Sequence, residues 1–474
     1  MQGVKSCDLS LLPSRMTGAK LRILQSMREE NKHDVIVVGA GLAGLSCAHT
    51  LAANGKRVLV LEARPQAGGR TSSFTRDGMA VESGLHRFIG YYSALPRLLK
   101  KCGVRLSDIL IWEEEAEILL PHETNKIVLG LAPFYAPLKT LRGLLGNRAT
   151  LSARDKLSLL PFFICGFTSY LLCPRRLDRF SVAAYAARHG VSERAQKRIL
   201  EPLSSGIFFL PPAEYSAHAF FGLFAPAIPK FAKMRIGAFR GGMSEVMCEP
   251  ILREIRSLGG HFQFGEAVRE VATEKGRVIG VKMQNGQEYR ARETVIATTL
   301  IAAKGILSPL TGDARLADLF ALPCMSACSL QLELDSPALA RDITTFGPGT
   351  DMVSFAEQSR STFGGSRGRL SVILGQPSVY AKKRTDECVA AVVEEMGRLG
   401  VELRGHITAA RKVVEENSFY ALTCGSQRLR PRQACGIAGL TLAGDYTRTA
   451  SFATMEGAVL SGRQAAKHCL RSLS

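Results

Sequence analysis

The sequence predicts an α/β fold, built on a doubly wound parallel sheet and carrying a helical, apolar insertion. Three observations point to it. Strand, helix and strand follow one another across residues 33–61. From about residue 100 to 234 this alternation gives way to longer apolar stretches, with frequent aromatic and interspersed basic residues. Near residue 240 the alternation returns and continues to the end. A chain of 474 residues is long enough for two domains, each with its own core.

Each element follows from its local pattern. His33–Val38 contains the β-rich run DVIVV and ends at Gly39. Leu42–Ala53 has helical periodicity, and Asn54-Gly55 stops it. Arg57–Leu61, RVLVL, is the next buried strand, and this β-α-β unit implies parallel pairing. In the middle, Phe162–Cys173 reads FFICGFTSYLLC between Pro161 and Pro174, and Phe208–Phe231 is rich in Phe, Ala and Pro. Ser244–Leu258 is helical in pattern and ends at Gly259-Gly260. His261–Phe264, Val278–Met283 and Glu293–Ala297 read as strands, with a turn signal at Asn285-Gly286. Residues 301–429 carry strand-like runs at Ser326–Leu334 and Leu370–Leu374. The end reads strand, loop, helix over Gly439–Gly444 and Ala453–Leu470.

Composition narrows the function classes. Hydrophobic residues make up 46% and charged residues 22%, a globular balance that argues against wholesale disorder. The net charge of +19 favours an anionic partner. No zinc-finger, helix-turn-helix or RNA-binding motif accompanies it, so no nucleic-acid partner is expected, and an anionic membrane surface fits better. Lys139, Arg142, Arg148, Arg154, Lys156, Arg175, Arg176 and Arg179 flank the first apolar segment and suit lipid headgroups. The twelve cysteines are scattered without a C-x-x-C pair, which suggests reduced thiols and neither a disulfide frame nor a metal site. No apolar run reaches the roughly 20 residues of a spanning helix. Residues 1–32 are basic and precede the first strand. They read as a flexible extension, as a start assigned upstream of Met16 or Met27, or as a transit peptide. The extension or upstream-start readings are preferred over the transit peptide, with a cytoplasmic or cytoplasmic-face, membrane-associated location; organelle import stays open but is not favoured.

Three motifs carry the chemistry. In Gly39-Ala40-Gly41-Leu42-Ala43-Gly44, Gly39 permits a tight turn, Gly41 admits a pyrophosphate to the backbone, and Gly44 lets helix and strand pack closely. The helix start, with Leu42 and Ala43, offers free N–H groups to phosphate. Glu62, beside Ala63 at the end of the second strand, is placed to accept from a ribose diol. The second motif is Gly68-Gly69-Arg70-Thr71. Gly69 allows another close approach to phosphate, and Arg70 supplies a planar cation. A nicotinamide enzyme has no need of this second clamp, so FAD is the expected cofactor. The third motif is Leu442-Ala443-Gly444-Asp445 followed by Thr454-Met455-Glu456-Gly457-Ala458-Val459. Asp445 is placed to reach a ribityl or phosphate-side hydroxyl. The helix starting near Met455 aims its positive end at the flavin pyrimidine.

On these motifs the chain resembles the flavin-containing amine oxidase superfamily. Within it, the chain is most similar to carotenoid desaturases of the phytoene desaturase type and related squalene-pathway flavoenzymes. LAGDYT followed by ATMEGAVLSG resembles the desaturase ending. EARPQAGGR and ESGLHRFIGYY, with Gly84, Leu85 and His86, resemble the early segment. The resemblance is good at both ends and over 235–300, and fades through 101–230 and 301–420. It implies two interleaved domains: an FAD-binding domain from 33–100, 235–300 and 430–474, and an α+β substrate domain from 101–234 and 301–429. It also implies a backbone contact to adenine at Val268. Amine oxidases of the superfamily often cage the amine with aromatics where this chain has Ser451 and Thr454, which demotes amine oxidation.

The resulting expectation is an FAD-dependent desaturase or dehydrogenase. It moves a hydride from a hydrophobic, isoprenoid, carotenoid-precursor-like substrate to flavin, with His86 and Arg87 as polar groups near the ring and a quinone or oxygen as electron acceptor. Rival readings are protoporphyrinogen- or amine-oxidase-type chemistry, a redox-neutral isomerase or dehydroxylase, and a non-catalytic flavin-binding membrane scaffold.

Overall fold

A computed structural model describes residues 33–474, so the expectations for 1–32 lie outside the described residues. The predicted β-α-β unit forms at His33–Val38, Leu42–Ala52 and Val58–Glu62. Its strands sit inside a seven-stranded sheet in the order His261–Phe264, Val58–Glu62, His33–Val38, Glu288–Ile296, Arg277–Met283, Val268–Glu274, with Leu440–Leu442 also pairing Glu288–Ile296.

The long strand Glu288–Ile296 explains how parallel and antiparallel halves share one sheet. Its first residues pair antiparallel with Arg277–Met283 (Glu288 opposite Lys282). Its last three pair parallel with Leu440–Leu442. Its exposure changes at the same place. The first half alternates between exposed and partly buried positions, and Glu293–Ile296 is continuously buried. This follows from helices covering both faces of the parallel half only. The helix Met455–Leu473 lies against Leu42–Ala52 so closely that a Cβ at Gly462 would overlap the Ala43 carbonyl.

The second seven-stranded sheet runs Ile407–Tyr420, Cys324–Leu334, Gly368–Leu374, Met352–Glu357, Thr345–Phe346, Glu115–Ile118, Ile127–Gly130. Its last two strands come from the middle of the chain. The helical part of the insertion is therefore narrower than the sequence texture suggests, starting at Pro137–Leu145. Apolar residues in Glu115–Ile118 and Ile127–Gly130 are few and short-run, and pattern alone does not tell such strands from helix. A three-stranded sheet of Phe88–Ile89, Ile236–Phe239 and Leu110–Glu113 joins both ends of the insertion to the first motif region.

The expected helix at Ser244–Leu258 opens as a π-helical turn over Ser244–Cys248 and continues as Glu249–Ser257. The insertion's main helix, Ala153–Leu172, starts at a capping box between Ser152 and Asp155. A Cβ at its Gly166 would overlap the Phe221 ring of Ala217–Phe224, so the two helices meet at close range. Among the described residues no helix is long and apolar enough to cross a membrane.

Candidate active site

The two glycine turns meet each other at the edge of the first sheet. Gly39 holds φ +100°, and a Cβ there would lie 2.9 Å from the Ala297 carbonyl oxygen. A Cβ at Gly44 would overlap the Gly39 carbonyl, so Gly44 sets the helix–strand approach. Around Gly41, by contrast, the Cβ position has no neighbour within 4 Å and opens into a cavity. The Gly68 N–H donates to the Ala40 carbonyl at 2.9 Å, and Gly69, at φ +56°, packs on Gly41. Helix Leu42–Ala52 has no side-chain cap. The uncapped N-terminus and the empty space beside Gly41 fit a bound diphosphate.

Polar side chains brace this turn. Glu62 Oε2 accepts from the Ala40 N–H at 2.7 Å, and Oε1 accepts from the Arg64 N–H at 2.9 Å. A carboxylate has about four lone-pair sites, so two such bonds leave capacity for a ribose. Arg70 donates to Asp445 Oδ1 at 2.7 Å and stacks on Phe419 at 4.5 Å. These two nominated residues thus pair with each other. Beneath them lies Arg430, 2% exposed, which donates to the carbonyls of Tyr446 (3.3 Å), Asp445 (3.1 Å) and Thr447. It holds the loop after Gly444 in shape. Nothing in the run RLRPRQ signals this role from sequence.

At the C-terminal helix, the Thr454 hydroxyl accepts from the Gly457 N–H at 3.1 Å, an N-cap. Glu456 stands in the first turn, where a carboxylate normally interacts with its own helix. Here it turns away. Oε1 accepts from the N–H groups of Ser93 (2.8 Å) and Ala94 (2.7 Å), and Oε2 from that of Leu95 (2.9 Å). Glu456 therefore caps a second helix, Ala94–Lys101, and locks the two motif regions together. Its place in the quoted Met-Glu-Gly-Ala string was the one available signal.

His86 and Arg87 lie where the three-stranded sheet begins. Burial, with the Arg70 and Arg87 charges nearby, pushes His86 down to about 4, so its imidazole is neutral at physiological pH. Its Nδ1 has no hydrogen-bond partner among the described residues. Arg87 pairs with Glu113 at 2.5 Å and donates to the Thr344 hydroxyl at 3.0 Å.

The two glycine turns, Glu62, Arg70, Asp445, His86 and Arg87 border one cavity of about 1170 Å³. This exceeds the roughly 300–1,000 Å³ of a site for one drug-sized ligand. Every residue nominated from sequence lines it except Gly44, whose part is packing, and Val268 lies on the wall beside Ala267 and Gln284. From the glycine turns the cavity continues without a break to Phe163, Phe167, Leu203 and Ile207 of the insertion.

This arrangement, a dinucleotide turn opening into an apolar chamber, defines a flavin-dependent oxidoreductase class of fold. The sequence model of the flavin containing amine oxidoreductase family matches residues 42–470, and the chain belongs to that family. It is an FAD-dependent oxidoreductase. The chain is 28% identical over 462 residues to the 15-cis-phytoene desaturase of Synechococcus elongatus, covering 91% of this chain and 95% of that one. It is 26% identical to the zeta-carotene desaturase of Arabidopsis thaliana, covering 92% and 85%. Among solved structures, a putrescine oxidase bound to putrescine aligns with TM-score 0.71 at 16% identity, over 93% of this chain and 99% of that one. An oxidoreductase from Methanosarcina mazei aligns with TM-score 0.69 at 17% identity, over 91% and 98%. At such identity the structural likenesses concern the fold.

Proposed function

We propose that the protein is a desaturase or dehydrogenase acting on a hydrophobic, isoprenoid, carotenoid-precursor-like substrate. The observation that carries this reading is the unbroken cavity from the glycine turns to the Phe163–Phe167 chamber. The desaturase relatives support it, as do Ser451 and Thr454, which cannot form an aromatic cage for an amine.

FAD, when bound, would supply the two-electron sink for removing a hydride and a proton from adjacent substrate carbons, with a quinone or oxygen as the final electron acceptor. The chain's own residues bind and orient. Gly39, Gly41, Leu42, Ala43 and Gly69 would present backbone to the diphosphate, Glu62 and Ala63 would hold the ribose, and Val268 would meet adenine. Arg70, Gly444, Asp445 and Met455 would hold the flavin end and its phosphate side. His86 and Arg87 border the reacting centre, where a neutral imidazole adds polarity without charge. The aromatic chamber aligns the chain and excludes water.

An anionic membrane surface is the proposed source of substrate. Helix Pro137–Leu145 has no buried residue and exposes Leu138, Leu141, Leu144 and Leu145. Leu157, Leu160 and Ile164 of Ala153–Leu172 are exposed too, and so are Arg142, Arg148, Arg154, Arg175, Arg176 and Arg179. Lys139 is paired with Glu114, and Lys156 bonds the Leu144 and Gly146 carbonyls, so the arginines carry the basic face. Ile228 and Phe231, both exposed, also line the cavity.

The test is anaerobic spectroscopy of the flavin-loaded protein. Its visible band is expected to bleach with a polyene precursor and not with alkylamines. Bleaching by amines alone, or by no isoprenoid of any kind, overturns the reading.

A further inference from the structure

The cavity has two unlike walls. One is aromatic. The other is a face of the second sheet, and strand register identifies it. Val413 lies opposite Ser329, Ser329 opposite Ile373, Ile373 opposite Ser354, and Ser354 opposite Phe346, and all five line the cavity. Opposed residues on neighbouring strands project to the same face, so two serines stand in one row between apolar residues. Thr344, two residues before Phe346, shares that face. Its hydroxyl accepts from Arg87 and donates to Glu113 Oε2 at 2.9 Å.

This wall carries polar atoms that nothing satisfies. Ser329 is 3% exposed, and its Oγ has no hydrogen-bond partner among the described residues. The same is true of Arg87 Nη2 and of the Tyr420 hydroxyl, on residues that also line the cavity. A buried donor without a partner costs free energy, and the Ser329 hydroxyl, on the cavity face of the sheet, is matched to a ligand atom that bonds it. A pure hydrocarbon has no atom to offer. The charge balance then selects the kind of oxygen. The Arg87–Glu113 pair is close to neutral as a unit, and the serines are uncharged. Arg235, which lines the cavity without an ion-pair partner among the described residues, is held over the Trp112 and Tyr135 rings. No cationic side chain stands in the row from Val413 through Ser329, Ile373 and Ser354 to Phe346, so this row offers hydroxyl donors to a hydroxyl or carbonyl oxygen and no counter-charge to a carboxylate or phosphate.

We propose that the sheet wall around Ser329 is a subsite for a neutral oxygen, a hydroxyl or carbonyl, on the isoprenoid substrate. The proposal rests on the isoprenoid reading above and refines it: the substrate is an oxygen-bearing isoprenoid, and Ser329 reads the oxygen. Selectivity of this kind is large when a site is built to bond a hydroxyl and small when it only tolerates one.

The experiment titrates the FAD-loaded protein anaerobically with a polyprenol and with the hydrocarbon of the same skeleton, following the flavin difference spectrum. The wild type is expected to bind the alcohol about tenfold more tightly. Ser329→Ala, which removes no existing hydrogen bond, is expected to shrink that preference to within about threefold and to leave hydrocarbon binding unchanged. Ser354→Ala serves as a second variant with the same expectation in weaker form. Equal or tighter binding of the hydrocarbon by wild type overturns the proposal, as does a Ser329→Ala loss that is the same for both ligands. Binding is read separately from bleaching. A protein that distinguishes the two ligands but bleaches with no isoprenoid would retain the subsite and lose the desaturase reading.

Discussion

Glu82 lies two residues before Gly84, where the early motif meets the second sheet. It is 2% exposed. Oε1 accepts from the Ser73 hydroxyl at 2.7 Å and from the Met243 N–H at 3.1 Å, while Oε2 has no partner among the described residues. Burial outweighs these bonds and raises its pKa from 4.5 to about 7. A carboxyl with a raised folded-state pKa favours folding in its protonated form. Its contribution is full below about 4.5 and is lost as pH rises through about 7. The ionised form at pH 8 therefore costs up to about 3 kcal/mol. Glu82→Gln should raise Tm at pH 8 and change it little at pH 5, measured by thermal melts across that range. An unchanged pH slope in the variant would refute the assignment. His86 shows the limit of reading single residues. Its motif marked it from sequence, but its neutral state depends on burial beside Arg70 and Arg87, which only the folded chain supplies.

At the scale of elements, the crossing of Leu42–Ala52 with Met455–Leu473 decides how the two motif-bearing ends come together. Gly462 has no room for a Cβ against Ala43, and the Ser46 hydroxyl donates to the Val459 carbonyl at 2.8 Å. Gly462→Ala should cost about 1–3 kcal/mol by overpacking and should release bound flavin, seen as a lower denaturation midpoint and a lower flavin-to-protein ratio. Gly397, inside helix Thr385–Arg398, has nothing within 4 Å of its Cβ position. Gly397→Ala should stabilise by about 0.4–1 kcal/mol and leave flavin content unchanged. If both substitutions behave alike, the crossing does not control the site. Both helices were legible, since helical periodicity needs only a dozen neighbouring residues. Their contact was not, because a glycine that meets another helix looks the same in sequence as one that meets water.

For the whole molecule, the net charge is +19, and Leu138, Leu141, Leu144 and Leu145 are exposed on the helix that carries exposed Arg142. Four leucines exposed on a nine-residue helix are unusual for a protein surface and mark an interaction face. The protein should sediment with vesicles containing anionic lipid, less with neutral vesicles, and less again at high salt, because exposed charges are screened there. Replacing Leu138, Leu141 and Leu144 together by Ser should reduce vesicle binding at least about tenfold, while the flavin spectrum in solution stays the same. Full binding by that triple variant would place the membrane face elsewhere.

What the sequence determined by itself was local: the β-α-β unit, both glycine turns, the C-terminal helix, and hence FAD. Each is written within a few residues, because a left-handed φ, a helix start or a buried strand depends on near neighbours. The Arg70–Asp445 pair joins residues 375 apart, and the Glu456 bond to Ala94 joins residues 362 apart. These were decided only by tertiary structure. So was the polar row through Ser329 and Ser354, since strand register chooses which face of a sheet looks into the cavity, and a shift of one residue would turn both serines away.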